Sequence, residues 1–320
     1  MWSEPGLARR YSIVVVTWQS APMLEALVST MNRHLESAPE LVVVDNGSRD
    51  DPERAVRDYR GQVRFMPLER NAGFGTACNI GVENASGSCL VMLNPDTELV
   101  DASLDELAAF ALRRRALAGP RLLNSDGSVQ PSASGAPVGP WPWIGAISPG
   151  RLQPGPLRDR TEPWRAARTI RVAWLTGACV AAPREALLAL GPFDPAIQLY
   201  AEDMDLGLRA ARAGIPSYFC PDVCRVIHRG GASTSIAFPQ GAGRMAAGNR
   251  RAVVRRAHGV RRERASWLAQ RVNLRLRVAA KRALGRDASA AREALDATRN
   301  ADPVPNLPAL SDRDPVSRGD

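Results

Sequence analysis

The residues of this chain best equipped for chemistry are the adjacent carboxylates Glu202 and Asp203, which open the run Ala201-Glu202-Asp203-Met204-Asp205-Leu206-Gly207-Leu208-Arg209, with His228 further along. An anion in apolar surroundings is costly unless it is paired or put to use, so such a pair is a candidate for proton transfer. Leu206, Leu208, Ala210 and Ala211 read as the inner face of a short helix closed by Gly214 and Pro216, which places the pair at the helix start. Acids favour that end for a purely structural reason as well, the positive pole of the helix dipole. Two further acids, each at the end of an apolar run, add weight to the chemical reading. Asp45 follows Leu41-Val42-Val43-Val44 and opens the turn-prone Asp45-Asn46-Gly47-Ser48. Asp96 follows Cys89-Leu90-Val91-Met92-Leu93-Asn94, with Pro95 ending the strand and fixing the turn. A plain turn-capping role before a helix over Ser103 to Leu112 is the structural alternative for Asp96.

The elements that must position these groups follow from hydrophobic patterning. The continuous apolar runs Ile13-Val14-Val15-Val16, Leu41–Val44 and Leu90–Leu93 predict strands covered on both faces, as in a parallel sheet. Between the first two, Leu24, Leu27, Val28, Met31 and Leu35 have helical spacing over Met23 to Leu35. Strand, helix, strand is a βαβ unit, and the fold class is α/β with its ligand crevice at the carboxyl ends of the strands. Asp45, Asp96 and the Glu202-Asp203 pair would converge there.

A larger set of motifs carries a resemblance. Val15-Val16-Thr17, Asp45-Asn46-Gly47-Ser48, Arg70-Asn71-Ala72-Gly73-Phe74-Gly75 with Asn79 and Gly81, Leu93-Asn94-Pro95-Asp96-Thr97, Trp174-Leu175-Thr176-Gly177-Ala178, Glu202-Asp203 and His228-Arg229-Gly230-Gly231 occur in that order. The set, from about Ser12 to Ser233, resembles an inverting family 2 glycosyltransferase, and within it the rhamnosyltransferase-like branch. The resemblance implies a GT-A type α/β fold, a Rossmann-like and mainly parallel sheet flanked by helices. It also implies a nucleotide-diphospho-sugar donor, dTDP- or UDP-linked, with dTDP-L-rhamnose the expected sugar donor, and a hydroxyl acceptor on a cell-envelope glycan or polyprenyl-linked saccharide.

The same resemblance implies roles for individual residues. Asp45 would accept from the imide N–H of a uracil or thymine ring, with Thr17 framing the base. Asn46, Arg70, Asn71, Gly73, Asn79 and Asn94 would line the nucleotide pocket, Arg70 balancing diphosphate charge. Asp96 and His228 would hold a divalent metal, Mg2+ or Mn2+, on the diphosphate. Asp203 would be the general base, Glu202 its neighbour positioning the acceptor, and Trp174, Thr176 and Gly177 the wall against donor sugar and acceptor. The chain departs from the family pattern at Asn94, which stands where the metal motif has its first aspartate and marks the branch. It departs again at Trp18-Gln19, where many relatives carry an aromatic followed by Asn.

Other patterns carry less chemistry. Cys220, Cys224 and His228 have a metal-like spacing, but no fourth Cys or His lies nearby to complete a structural zinc site, so buried strand cysteines are expected. Five cysteines without paired spacing fit free thiols in a reducing cytoplasm. Trp141-Pro142-Trp143-Ile144 lies in the Pro- and Gly-rich stretch Pro131 to Pro156 and is predicted to be a surface loop, a lid or an apolar rim that touches lipid.

The net charge of +9 is unevenly placed. Residues 244–286 hold fourteen Arg or Lys and a single acid, Glu263, while 287–320 hold four basic and seven acidic residues, which leaves residues 1–243 near neutrality. The division expected is a catalytic domain over 1–243, a basic amphipathic helical extension over 244–286 and a disordered tail over 287–320. Leu268, Val272, Leu276, Ala279 and Ala283 give the extension helical spacing beside Trp267, the pattern of a helix on an anionic membrane surface. A helix packed on the catalytic domain is the alternative. Nucleic-acid binding is not expected, for no recognised module accompanies the charge. Met1 to Arg10 lacks the apolar segment of a secretory signal, and no run of about 18 apolar residues spans a membrane. The expected place is cytoplasmic, peripheral at the inner face of the cell membrane. Two other functions could draw on the same residues. A sugar-nucleotide nucleotidyltransferase would need a Gly-rich, Lys-containing phosphate loop after the first strand, and Trp18-Gln19-Ser20-Ala21-Pro22 is not one. A non-catalytic nucleotide-sugar-binding protein would have no use for Asp203 and His228.

Overall fold

Two runs of wholly buried residues form the first strands, β1 (Tyr11–Thr17) and β2 (Glu40–Asp45), with α1 (Ala21–His34) crossing between them. The computed structural model describes residues 11–197, 200–230, 242–299, 301 and 303. Pro22 suits the first turn of α1, where its missing N–H leaves nothing unsatisfied. Leu24, Leu27, Val28 and Met31 form the buried stripe that seats α1 on the sheet. There follow β3 (Val63–Pro67), α2 (Phe74–Asn84), β4 (Cys89–Leu93), β5 (Thr97–Leu99), α3 (Ser103–Arg114), β6 (Leu117–Gly119) and β7 (Arg121–Leu123).

The strands β3, β2, β1 and β4 run parallel, and Thr17, Asp45 and Pro67 stand in one register at their carboxyl ends. Alternate side chains divide between two cores. Ile13, Val15, Leu41, Val43 and Val91 face α1 and α3, whereas Val14, Val16, Val42, Val44 and Met92 face α2. Both faces are therefore dry, the reason these strands read as continuous apolar runs.

The second half of the chain completes the sheet. It adds β8 (Ala133–Ser134), α4 (Trp141–Ile147), α5 (Gly155–Thr161), β9 (Ile170–Val172), β10 (Trp174–Leu175), β11 (Cys179–Pro183), α6 (Arg184–Leu190), α7 (Glu202–Arg212), β12 (Ser217–Phe219) and β13 (Arg225–His228). The strand order is β3-β2-β1-β4-β11-β6-β12-β9, a mixed sheet with β11 antiparallel to β4. Cys179 pairs with Leu93, so the start of β11 meets the end of β4 on the same rim as Thr17 and Asp45. A small sheet, β5-β13-β7, sets His228 opposite Thr97 at that rim.

Three sequence expectations are corrected. The stretch Pro131 to Pro156 is not a loop throughout: it holds β8 and α4, with Gly145 of α4 accepting from Asn273 Nδ2 at 2.9 Å. Pro142 stands in the first turn of α4, which turns a Pro-rich signal into a helix start. The extension is two helices, α8 (Ala242–His258) and α9 (Val260–Ala283), parted at Gly259 with φ +82°. The buried stripe of α9 is Glu263, Ser266, Ala269, Leu274 and Val278, and Leu268 and Leu276 of the expected apolar stripe are exposed. Glu263 sets the inward face, for Arg251 and Arg255 draw it into the corner between the helices at 2.6 and 3.0 Å. Finally, the stretch expected to be a disordered tail holds α10 (Ser289–Ala297), started by Asp287, which accepts from the Ser289 amide at 2.9 Å. Residues 304–320, Gly231 of the His228 motif and the Met1–Arg10 segment lie outside the described residues.

Candidate active site

At the carboxyl end of β2 the chain must turn sharply, and side chains tie the turn down. The Ser48 amide donates to Asp45 Oδ1 at 3.0 Å. Asn46 Nδ2 donates to Asn71 Oδ1 at 3.0 Å while Asn46 Oδ1 accepts from the Ala72 amide at 2.8 Å. Gly73, just ahead of α2, donates its amide to the same Asn71 oxygen at 2.9 Å. Gly47 has φ +79°, and a Cβ there would stand 2.9 Å from the Arg70 backbone, so only glycine fits. These contacts shape a cleft of about 730 Å³ lined by Trp18, Gln19, Gly47, Ser48, Arg70 and Asn71 among others. Arg70 is exposed at its mouth.

Two residues expected in that cleft do other work. Asn79 has both ends of its amide bound to the main chain of Phe193, at 2.8 and 2.9 Å, so it clamps α2 to the segment before α7. Thr17 is fully buried with its hydroxyl 2.8 Å from that of Ser20, and it braces the turn after β1.

Further along the rim, Asp96 and His228 come together: Nε2 of His228 is 3.4 Å from Oδ1 of Asp96. Gln130 fixes the ring. Its Nε2 donates to the Asn124 side-chain oxygen and to the His228 carbonyl, both at 2.6 Å, which turns its Oε1 toward His228 Nδ1 at 2.9 Å. With Gln130 Oε1 as its acceptor Nδ1 donates, which leaves Nε2 as the ring nitrogen that faces Asp96. An imidazole nitrogen and a carboxylate oxygen held together suit a divalent cation whose remaining ligands come from elsewhere. No group of three His, Cys, Asp or Glu that could hold a metal occurs among the described residues. All five cysteines are free and buried, and burial pushes the Cys220 and Cys224 thiols up to about 12. The two are buried as expected but stand in the turn between β12 and β13, not in a strand.

Asp96 connects to Asp203 through main-chain hydrogen bonds. The Asn94 amide donates to the Ala178 carbonyl at 2.9 Å, and next to Ala178 the Gly177 amide donates to Asp203 Oδ2 at 3.2 Å. Thr176 continues the same strand end, its amide bonded to the Ser132 carbonyl at 3.0 Å. The Met204 amide donates to Asp203 Oδ1 at 2.7 Å. Asp203 thus stands on the first turn of α7 with both oxygens oriented.

Its neighbour Glu202 is buried, and Oε2 has no hydrogen-bond partner. Burial, together with the charge of Asp203, pushes the Glu202 carboxyl up to about 8. Burial raises Asp203 too, opposed by the Met204 and Gly177 amides and by the Arg250 guanidinium. The two carboxyls titrate together, and the amides that donate to Asp203 make it the more readily ionised of the pair.

α7 is seated against β10 by Gly207, where a Cβ would stand 2.4 Å from that of Trp174. Arg250 of α8 covers the Trp174 ring at 5.5 Å. Arg256 of α8 bridges Asp194, at 2.7 Å, and Asp205, while Arg209 holds the other Asp205 oxygen at 2.7 Å. Arg250, Arg256 and Gln130 were not singled out by sequence. The signal for the arginines was there: Val253-Val254, apolar inside a basic run, marks the inward face, and Arg250 and Arg256 lie one turn to either side. Gln130 carried no signal.

This geometry now has relatives beside it. A family model described as glycosyl transferase family 2 matches residues 12–169, and one described as glycosyl transferase family group 2 matches 163–279. The N-acetylglucosaminyl-diphospho-decaprenol L-rhamnosyltransferase of Mycobacterium tuberculosis strain H37Rv is 31% identical over 250 residues, which are 69% of this chain and 76% of that protein. The chain belongs to glycosyltransferase family 2. Among solved structures, the mannosyltransferase PcManGT from Pyrobaculum calidifontis in complex with GDP-Man and Mn2+ aligns over 90% of this glycosyltransferase and 79% of its own chain, with TM-score 0.55 and 18% identity. GalNAc-T7, solved with UDP, GalNAc and Mn2+, aligns over 68% of the enzyme and 43% of its own chain, with TM-score 0.53 and 21% identity. The fold is the GT-A type, and the second family match extends through α8 and most of α9.

Proposed function

We propose that the enzyme transfers L-rhamnose from dTDP-L-rhamnose, with inversion, to a hydroxyl of a polyprenyl-diphosphate-linked saccharide of the cell envelope. The observation that carries the transfer chemistry is the buried Glu202-Asp203 pair, with Asp203 oriented by the Gly177 and Met204 amides and Glu202 raised by burial and by the Asp203 charge. Donor and acceptor are inferred from the name and the 31% identity of the mycobacterial relative.

In this reading the nucleotide base enters the cleft beside Asp45, where the carboxylate oriented by Ser48 accepts from the imide N–H. Arg70 and Asn71 flank the diphosphate, and Arg70 offsets its charge. Asp96 and His228 would hold a divalent cation such as Mg2+ or Mn2+, which when bound stabilises the leaving diphosphate. Asp203 takes the proton of the acceptor hydroxyl as its oxygen attacks the anomeric carbon from the face opposite the diphosphate. Glu202, in its protonated form, donates a hydrogen bond to the acceptor without competing for that proton. Trp174, Thr176 and Gly177 border the space in which the two sugars meet.

A place at the inner face of the cell membrane fits the outer side of α9, where Leu268, Leu276 and Leu284 stand exposed among Arg261, Arg264, Arg275 and Arg282. No helix of the described residues is long and apolar enough to cross a membrane.

The test is a thermal-shift panel with dTDP-rhamnose, UDP-sugars, GDP-sugars and dTDP, each with Mn2+, Mg2+ or EDTA. A ligand at about 100 times its dissociation constant adds about 2.7 kcal/mol. Stabilisation by dTDP-rhamnose that EDTA removes supports the reading, and a preference for GDP- or UDP-sugars replaces the donor.

A further inference from the structure

Helix α8 turns four arginines, Arg250, Arg251, Arg255 and Arg256, toward the rest of the molecule, and three of them meet carboxylates. Arg251 and Arg255 grip Glu263, and Arg256 bridges Asp194 and Asp205. Arg250 differs. Among the described residues no carboxylate lies within ion-pair distance of it. Its guanidinium instead rests 5.5 Å from the Trp174 ring centroid, with Nη1 3.9 Å from the sulfur of Met204.

Both neighbours define where that cation stands. Met204 follows Asp203 and donates its amide to the Asp203 carboxylate. Trp174 opens the strand that leads through Thr176 to Gly177, whose amide holds the other Asp203 oxygen. The guanidinium is thus held by α8 close enough to Asp203 for the two charges to interact, while Asp96, His228 and Arg70 stand at the rim of the parallel strands. Burial disfavours its charge and Asp203 is the one group that offsets this. A half-buried guanidinium whose charge is offset by Asp203 without an ion-pair contact keeps its donors free, and its planar fork matches phosphate oxygens. The aromatic face keeps it in place without using its donors.

We propose that Arg250 is a binding residue for the phosphate that joins the acceptor saccharide to its lipid, holding that anion while Asp203 receives the proton of the sugar hydroxyl. This rests on the reading of the enzyme as a transferase for a diphosphate-linked acceptor. It adds a second anion site, distinct from that of the donor and supplied by a helix beyond the sheet. An acceptor anchored through its charged linker presents the hydroxyl to the base in one orientation, so Arg250 sets selection for lipid-linked over free saccharide.

The experiment is steady-state transfer from dTDP-rhamnose by the full chain to two acceptors in detergent. One is N-acetylglucosaminyl-diphospho-polyprenol, the other the same sugar on an uncharged alkyl glycoside. The wild type is expected to have the lower KM for the diphosphate acceptor. Arg250→Gln is expected to raise that KM about tenfold relative to the uncharged acceptor, the loss of one charge-assisted hydrogen bond, with the donor KM little changed and Arg250→Lys recovering part of the effect. Equal losses on both acceptors, with a displaced pH profile of kcat, would make Arg250 a tuner of Asp203 and overturn the proposal. If Arg250→Gln fails to fold, the wild-type preference and the Lys variant decide: no preference between acceptors overturns it. Transfer to neither acceptor by the wild type, with dTDP-rhamnose bound, would instead overturn the functional reading beneath it.

Discussion

Nη1 of Arg256 lies 2.7 Å from Oδ2 of Asp194, and the same guanidinium reaches Asp205 inside α7. All three side chains are almost wholly buried, and Arg209 closes the network through the other Asp205 oxygen and the carbonyls of Leu190, Gly191 and Pro192. A helix from the basic segment thereby fixes the helix that carries Asp203. Arg256→Leu should leave two buried carboxylates short of a partner and lower stability by about 3–5 kcal/mol, the usual cost of breaking a buried pair. Urea unfolding measures it; a loss below about 1 kcal/mol, the surface-pair range, would contradict the clamp.

Removing residues 244–320 should abolish folding of the remainder, since Val253 and Val254 share a core with Trp174, Met204 and Leu208. Circular dichroism of the truncated chain checks this. A cooperatively folded 1–243 fragment would show that α8 is dispensable to the core.

The joint titration of Glu202 and Asp203 gives a pH signature. Glu202 is raised from 4.5 to about 8, so between those values the folded chain keeps a proton that the unfolded chain has released. Stability from this group is fully present below 4.5 and lost as pH rises through about 8. Glu202→Gln keeps a neutral donor at every pH. It should retain activity near neutrality, remove the alkaline limb of kcat and resist unfolding at pH 9 better than the wild type. An unchanged alkaline limb would show that the two carboxyls do not titrate together.

Asp96→Ala and His228→Ala should each abolish the part of donor binding that depends on Mn2+ or Mg2+, leaving binding in EDTA unaltered. Calorimetric titration of dTDP with and without metal reads this directly. Gln130→Ala should weaken the same metal-dependent binding about 10–100-fold, because the His228 ring loses the hydrogen bond that orients it. Metal-dependent binding that survives in Asp96→Ala would place the cation elsewhere.

What the sequence disclosed depended on how locally each feature is encoded. β1, β2 and β4 were legible because both faces of each are buried, and Asp45 and Asp96 were legible as breaks in those runs. The pairing of Asp96 with His228 follows from β5 and β13 lying side by side, a register no local pattern announces. The resemblance put Asn79 on the nucleotide pocket, whereas its amide serves the Phe193 backbone, a tertiary contact that no local pattern announces. In the basic segment the Leu268–Ala283 spacing marked an apolar stripe of which Leu268 and Leu276 are exposed, while the face turned inward is set by Glu263, the lone acid, which no apolar pattern announces.

The most direct test of the account is Asp203→Asn in a single-turnover assay of sugar transfer from dTDP-rhamnose to N-acetylglucosaminyl-diphospho-polyprenol, with donor affinity measured on the same protein. The account predicts a folded variant with unaltered donor affinity and a transfer rate lower by about 10²–10⁴, the contribution of general-base catalysis. Transfer within a few-fold of the wild-type rate would contradict the assignment of Asp203 as the base.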